Sequence, residues 1–430
     1  QVMFDQCKAL IIGLQKRGAV VGSSLNTAYL LERLSQTLER LETLMAIFVS
    51  NRYLPRRILL LTGCFARAAA ERHSISRLWK QSSGLIARSV TQNAGDHGEH
   101  YITRDKKEYW AMFYSAAGGG VLIALMALFK TYLGSIIDDK VWKGLAEGLN
   151  YGFGFMVIFM LHFTVATKQP AMTAARFAEA VEKNPQGKTL NMKLAQLLVD
   201  VFRSQSVAVL GNVVVAMGLA ALIAFVYQHQ TGEPLMNSEK IAYQLHRIDP
   251  LDGSLWFAAI AGVWLFCSGI ISGYFDNRSN YLNMRMRLAQ HPLLKKLMSE
   301  KSRVKFANYM HENYGSLIGN FCFGMLLGLT GLVGYLTHLP LDIRHVAFSS
   351  ANLGYSAVSG QFAYPFFLQC IGFVLLIGLV NLMVSFSLTL WVALRSLNTE
   401  IDSWWAIWHE VCQIVRKRPL SLFFPVQLDK

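Results

Sequence analysis

Six stretches of this chain, 111–129, 149–167, 206–227, 253–275, 315–337 and 367–394, hold no Asp, Glu, Lys or Arg in their apolar centres. A helix needs about 20 predominantly apolar residues to cross a hydrocarbon core about 30 Å thick, and each stretch comes close to that length or exceeds it. Buried helices of a water-soluble protein rarely keep this pattern so many times. Composition agrees: 53% of the 430 residues are hydrophobic and 16% are charged, against about 25% charged in a soluble domain. The segments predict an all-α, polytopic membrane bundle of about six transmembrane helices.

The placement of Lys and Arg orients such a bundle. If the six segments alternate, the stretches before 111, at 168–205, at 276–314 and after 394 share one side, and they hold 35 of the 41 basic residues. Lys130, Lys140, Lys143, Lys240, Arg247 and Arg344 fall on the other side. Loops rich in Lys and Arg stay on the cytoplasmic face, so both termini are expected in the cytoplasm and the chain in a bacterial inner membrane. With carboxylates counted as well, the basic side carries +16 and the opposite side −2. Membrane lipid is the expected partner, with anionic lipid at the basic loops 168–205 and 276–314. Nucleic acid is drawn by the same charge, but a membrane protein needs no DNA to explain it. Six cysteines without a C-x-x-C pair give no disulfide framework or zinc site, and no cofactor is expected. The chain begins with Gln and shows no cleavable signal before its first apolar segment, so an N-terminal piece is expected to be missing.

Outside the bundle, residues 1–110 read as a cytosolic helical domain. Leu31, Leu34, Leu38, Leu41, Met45 and Phe48 recur at helical spacing, with Glu32, Arg33, Glu39, Arg40 and Glu42 off that stripe. A protein partner is the expected occupant of this region. Residues 111–394 form the bundle, and 395–430 an interfacial amphipathic helix with a basic tail: Ile401, Trp404, Trp405, Trp408, Val411, Cys412 and Val415 share one stripe ahead of "RKRP" at 416–419. Packing of that stripe against the cytosolic domain is the alternative. Within the bundle, "LGNVVVAMGL" at 210–219 echoes "IGNFCFGMLLG" at 318–328, as hairpin duplication produces in transport proteins. In the fifth segment Gly315 and Gly319 lie on one face and Gly324, Gly328 and Gly331 near the opposite one, which lets neighbouring backbones approach from two sides.

Longer strings carry a resemblance. "GYFDNRSNY" with "RMRLAQHPLL", "LTGLVGYLTHLPLDIRHVAFSSANLG", "RKRPLSLFFP", "YITRDKKEYWAMFYSAAGGG" and "SSLNTAYLLERLSQTLERLE" together resemble the bacterial membrane proteins of the site-specific recombinase, Gcr-like, family over nearly the whole chain. The resemblance implies a helical membrane protein with a longer cytosolic N-terminus, and the family's name implies DNA strand exchange. That chemistry needs a Tyr nucleophile with Arg and an H-x-x-R element, or a Ser nucleophile with Y-x-R-x-S. Neither pattern occurs: His73 and His100 each precede an Arg by four positions.

Three groups of residues are candidates for function. "LPLDIRHVAFSSANLG" at 339–354 holds Asp342, Arg344, His345, Ser349, Ser350 and Asn352. It reads either as a re-entrant or capping segment lining a cavity, or as an Asp342–Arg344 pair beside a capped short helix. His162, Asn212 and Asn320 are polar groups within the apolar segments, where such groups mark either sites or interhelical hydrogen bonds. Asp276, Asn277, Arg278, Tyr281 and Arg285 mark where the fourth segment leaves the membrane, and Tyr281 with Arg278 and Arg285 is the nearest thing to a phosphate site. "DHGEH" at 96–100 has no metalloprotease spacing, and no metal is expected there. Three functions follow as expectations. They are binding or transport of an envelope lipid or small solute, a scaffold recruiting partners through cytosolic helices, and the recombinase activity of the family's name.

Overall fold

The structure is a computed structural model and describes residues 2–21, 25–49, 54–70, 103, 105–165, 188–396 and 403–425. These form helices and their connections, with no strand among the described residues. The helices are α1 (Val2–Val21), α2 (Leu25–Val49), α3 (Leu54–Ala70), α4 (Lys106–Ile136), α5 (Lys140–Met160), α6 (Lys188–Thr231) and α7 (Ser238–Ile248). There follow α8 (Ser254–Tyr281), α9 (Met284–Gln290), α10 (Pro292–Leu297), α11 (Glu300–Thr337), α12 (Val346–Ser359), α13 (Tyr364–Ser396) and α14 (Trp404–Lys417). Side-chain caps start several of them. Asp105 accepts the Glu108 N–H at 2.7 Å, and Asp139 accepts those of Val141 and Trp142 at 3.0 and 2.9 Å, which satisfies amides that a helix start leaves open.

Five helices are long and apolar enough to cross a membrane: α4, α6, α8, α11 and α13. Aromatic residues on α4 fit that reading. Trp110, Tyr114, Phe129 and Tyr132 are exposed, and from Trp110 to Tyr132 a helix rises about 33 Å, close to the spacing of the two interfaces that Trp and Tyr prefer.

The expected segment 149–167 differs. Its helix begins earlier, so Lys143, Glu147 and Asn150 interrupt its first half, and it ends at Met160. The amides of Leu161, His162 and Phe163 close back on the carbonyls of Val157, Phe159 and Ile158. His162 takes a φ of 58°, a left-handed conformation that continues no helix. His162 is therefore not a side chain inside a membrane helix but part of the exposed turn that ends α5.

The chain divides into two compact units, one of residues 1–93, 273–314 and 395–398 and one of the remainder. In the larger unit α4 and α5 are antiparallel, with Met126 against Gly154 and Gly134 against Lys143. α4 and α6 run parallel, Phe113 meeting Gly211 and Gly120 meeting Ala216. α5 and α11 touch backbone to backbone: a Cβ on Gly324 would lie 2.2 Å from the Tyr151 carbonyl carbon, and one on Gly328 2.3 Å from the Gly148 Cα. Gly319, on the other face of α11, meets Ser268 and Ser272 of α8. The core between them is aromatic, with Tyr151, Phe155, Phe323, Phe348 and Tyr355 all buried.

α6 has 44 residues, about 66 Å of helix. Its first third carries a separate cluster, in which Leu194, Ala195 and Val199 pack with Leu390 of α13 and with Ile407 and Val411 of α14. The tryptophans of α14 do not join it: Trp404, Trp405 and Trp408 are exposed. Of the stripe expected on one face, Val411 and Val415 pack while the tryptophans and Cys412 stay open, and Ile401 lies outside the described residues.

The smaller unit holds α1, α2 and α3, the last turns of α8, α9, α10 and the first turns of α11. Lys8 of α1 pairs with Glu42 of α2. Leu34, Leu41 and Met45 of the expected apolar stripe are exposed. The sequence "GYFDNRSNY" is helical to Tyr281, past the expected end at 275, and Asn283 then turns the chain with a φ of 47°.

Candidate functional site

After α11 the chain doubles back along it. Leu341 lies against Gly334 and Asp342 faces Gly331, while the ring of His345 is 5.9 Å from that of Phe323. Between Gly334 and Phe323 α11 spans about 16 Å, a distance the extended residues 339–345 cover. α12 then climbs back through the core. Phe348 meets Tyr151 at 4.4 Å between ring centres, the Tyr355 hydroxyl donates to the Ala124 carbonyl at 3.0 Å, and Ser359 Oγ accepts the Met236 N–H at 3.3 Å.

Irregular backbone at such depth persists only where protein satisfies it. Asn381 of α13 does much of this: its Oδ1 accepts the Val346 N–H at 3.1 Å, and its Nδ2 donates to the carbonyls of Arg344 and Ala258 at 2.9 and 2.8 Å. The Arg344 N–H donates to the Phe257 carbonyl at 3.2 Å. Ser350 returns its hydroxyl to the Ala347 carbonyl at 2.8 Å.

Charge gathers around this turn. Asp342 lies 2.6 Å from Arg344 and 3.5 Å from Arg247. Arg344 also donates through Nε to the Arg247 carbonyl at 2.6 Å and stacks over Phe257 at 4.9 Å. Arg247 donates to the Tyr243 hydroxyl at 2.8 Å. Lys130 pairs with Glu147 at 2.9 Å and lies over the Tyr151 ring. Lys130, Tyr151, Arg247 and Arg344, with His345, Ser349 and Asn352, border a cavity of about 20 Å³, enough for one water. Burial pushes the Asp342 carboxyl up, but Arg247 and Arg344 outweigh it and hold the group down at about 2. Burial among Phe155, Phe323 and Phe348 pulls the His345 imidazole down to about 4, so it is neutral at pH 7.

Asn212 and Asn320 do not reach this cavity. Asn212 donates to the carbonyls of Ala116 and Thr164, the latter at 3.0 Å, and thereby ties the end of α5 between α4 and α6. Asn320 donates to the Ser316 carbonyl of its own helix at 2.7 Å. The two positions of the sequence echo thus do different work.

In the smaller unit, Asp276, Asn277, Arg278 and Tyr281 occupy the last turns of α8, with Arg278 and Tyr281 exposed. Arg285 on α9 donates to Asn308. The buried contact there is Ser279 with His311 Nδ1, at 3.1 Å. The "DHGEH" run lies outside the described residues, and no metal-binding cluster occurs among the described ones.

Two features escaped the sequence. One is a groove of about 530 Å³ bordered by α4, α6 and α7, with Leu125, Leu128, Phe129, Ile223 and Leu235 as its apolar members and Thr131, Tyr132, Ser135, Tyr227 and Lys240 as its polar ones. The other is Arg203, which is buried on α6. It pairs with Asp200 at 3.0 Å and donates to the carbonyls of Thr103 and Ser421, the latter at 3.3 Å. Its place in a basic stretch made it look like one more cytoplasmic anchor.

A family model described as "Site-specific recombinase" matches residues 1–425. No curated protein and no solved structure matches the chain.

Proposed function

The chain belongs to the site-specific recombinase family, and from that premise we propose that it is a membrane-embedded binding protein for an acyl-bearing envelope lipid. The observation that carries this reading is the groove of about 530 Å³, a volume within the roughly 300–1,000 Å³ of small-molecule sites. Its chemistry suits an amphiphile. Leucine, isoleucine and phenylalanine offer contact to an acyl chain, while Tyr132, Tyr227 and Lys240, all exposed, offer hydrogen bonds and a positive charge to a headgroup. The re-entrant segment supports the groove from behind, since Ser359 and Ser356 of α12 bind Met236, next to Leu235 in its wall. In this reading Asp342, Arg344, His345, Ser349, Ser350 and Asn352 organise the site rather than contact the ligand.

The protein sits in the bacterial inner membrane with both ends in the cytoplasm, as the distribution of 35 basic residues supports. Anionic lipid meets the cytoplasmic basic loops. Reporter tags at Gly232 and after Arg416 should report opposite compartments.

The binding reading is tested with a photoactivatable phospholipid and the purified full chain in mild detergent. Leu125→Trp fills the groove from an exposed position and should lower labelling of the α4 and α6 peptides severalfold for every lipid. Lys240→Glu should remove a preference for anionic over zwitterionic lipid. Unchanged labelling in both variants overturns the assignment. A second reading, a scaffold recruiting a protein through residues 1–110, draws on the exposed Leu30, Leu34, Leu41 and Met45 of α2. It predicts that Leu34→Glu with Leu41→Glu abolishes a co-purifying partner while leaving lipid labelling intact.

A further inference from the structure

We propose that α14 is a membrane-surface helix that seats its tryptophan face in anionic lipid and fastens the protruding end of α6 to the leaflet. The argument begins with the width of its apolar arc. At 100° per residue, Ile414, Ile407, Val411, Trp404, Val415, Trp408, Cys412 and Trp405 fill roughly half the circumference of the helix. Protein covers part of that arc, with Ile414 and Val415 partly buried beside it. Ile407 and Val411 are buried against Leu194 and Val199 of α6 and Leu390 of α13. Trp404, Trp405 and Trp408 are 51%, 80% and 57% exposed. An apolar sector that keeps three exposed tryptophans beyond its protein contact needs a second apolar surface.

Three observations identify that surface as lipid rather than protein. First, the exposed edge is tryptophan, whose amphipathic ring favours the headgroup level of a bilayer. Second, Arg416, Lys417 and Arg418 follow the tryptophans directly, are all exposed, and have no ion pair among the described residues. Their charge complements anionic headgroups. Third, the segment after α14 joins an aromatic belt already at the end of a spanning helix. Phe424 lies 5.8 Å from Tyr109 between ring centres, and Trp110, Tyr114, Phe423 and Phe424 are exposed around it. α14 is thereby held at the level where α4 enters the bilayer.

The test uses the full chain in proteoliposomes. Cys412 lies on the tryptophan face, and Gln413 is about 100° further round, towards the polar side. With the other five cysteines changed to alanine, Cys412 is labelled with an environment-sensitive fluorophore. A second protein, combining Gln413→Cys with Cys412→Ala, carries the same label one position later. Brominated phosphatidylglycerol should quench the label on Cys412 severalfold more than the label at position 413, and more than brominated phosphatidylcholine does at equal content. The triple change Arg416→Gln, Lys417→Gln and Arg418→Gln should abolish the preference for phosphatidylglycerol and leave quenching by phosphatidylcholine in place. Equal quenching at both positions, or a Cys412–Cys412 crosslink between copies in place of lipid quenching, overturns the proposal. If the cysteine-depleted chain fails to fold, the native protein supplies the readout. Changing Trp404, Trp405 and Trp408 to Phe should then reduce the tryptophan emission that brominated lipid quenches, and no reduction overturns the proposal equally.

Discussion

Arg344 and Arg203 sit at opposite ends of the larger helical unit and share a way of working. Each is buried, and each donates to backbone carbonyls of segments far away in sequence: Arg344 to Arg247, Arg203 to Thr103 and Ser421. Their electrostatic settings differ. Arg203 has the carboxylate of Asp200 beside it and binds otherwise to carbonyl dipoles. Arg344 belongs to a cluster in which Lys130, Arg247 and Arg344 share two carboxylates, Glu147 and Asp342. A guanidinium whose two terminal nitrogens hold carbonyls of distant segments is a mechanical tie and tolerates loss of its counter-ion. A cluster with more cations than anions depends on each carboxylate it has, because removing one leaves charges buried without compensation.

The largest effect should therefore come from Asp342→Ala. It leaves Arg247 and Arg344 facing each other without the carboxylate between them, and breaking a buried pair in this way costs about 3–5 kcal/mol. Thermal unfolding in mild detergent should show a Tm lowered by many degrees, and Asp342→Asn should restore only part of it. A loss no greater than that of a surface change would show the cluster to be solvated and the contrast with Arg203 to be empty.

Acidity sharpens the same contrast from another side. His345 is held neutral by its apolar surroundings, its folded value pulled to about 4 from the ordinary 6.5. Because the unfolded chain takes up a proton first, stability rises with pH between those values: it is intact above 6.5, falls as the pH drops through that window, and levels off below about 4. The difference amounts to roughly 3 kcal/mol at 1.36 kcal/mol per pH unit. Asp342, held at about 2, adds its own loss only below pH 4. A Tm profile from pH 7 to 4 should steepen across this range in the native chain and flatten in His345→Gln. Arg203 touches carbonyls and a partly exposed carboxylate rather than an imidazole, so changes there should leave the profile unaltered.

How much of this was legible in the sequence follows from how each residue differs from its neighbours. Arg344 stood out as a lone cation in a polar connection, and the segment that holds it, 339–354, could be singled out without coordinates. Arg203 has the same structural weight but lies among the basic residues of 168–205, where topology alone accounts for a cation. Local charge statistics cannot separate a buried tie from a surface anchor. Spans were legible because lipid demands an unbroken apolar run. The end of α5 was not, since the apolar run from Tyr151 continues past His162, and what stops the helix is a left-handed turn with tertiary bonds to Ser115 and Asn212. The glycines of α11 could be assigned to two faces from spacing, while the identity of the helix met on each face required the fold. The groove was invisible for a related reason: its members come from three elements and none is unusual where it stands.

The smaller effects lie at the Arg203 end. Arg203→Ala removes the guanidinium together with its charge, so no buried cation is left uncompensated, and the loss should be about 1.5–3 kcal/mol in all, with the Ser421 segment freed from α6. Beyond a moderate drop in Tm, it should expose the chain after Arg418 to protease. Asp200→Asn is the finer test. Asp200 also accepts a bond from Gln196 at 2.9 Å, and the two carbonyls keep Arg203 in place without it. The expected loss is smaller than that of Asp342→Ala, with protease resistance after Arg418 retained. If Asp200→Asn instead matches Asp342→Ala, Arg203 relies on its counter-ion as heavily as Arg344 does, and carbonyl dipoles are not sufficient to hold a buried guanidinium at this end of the fold.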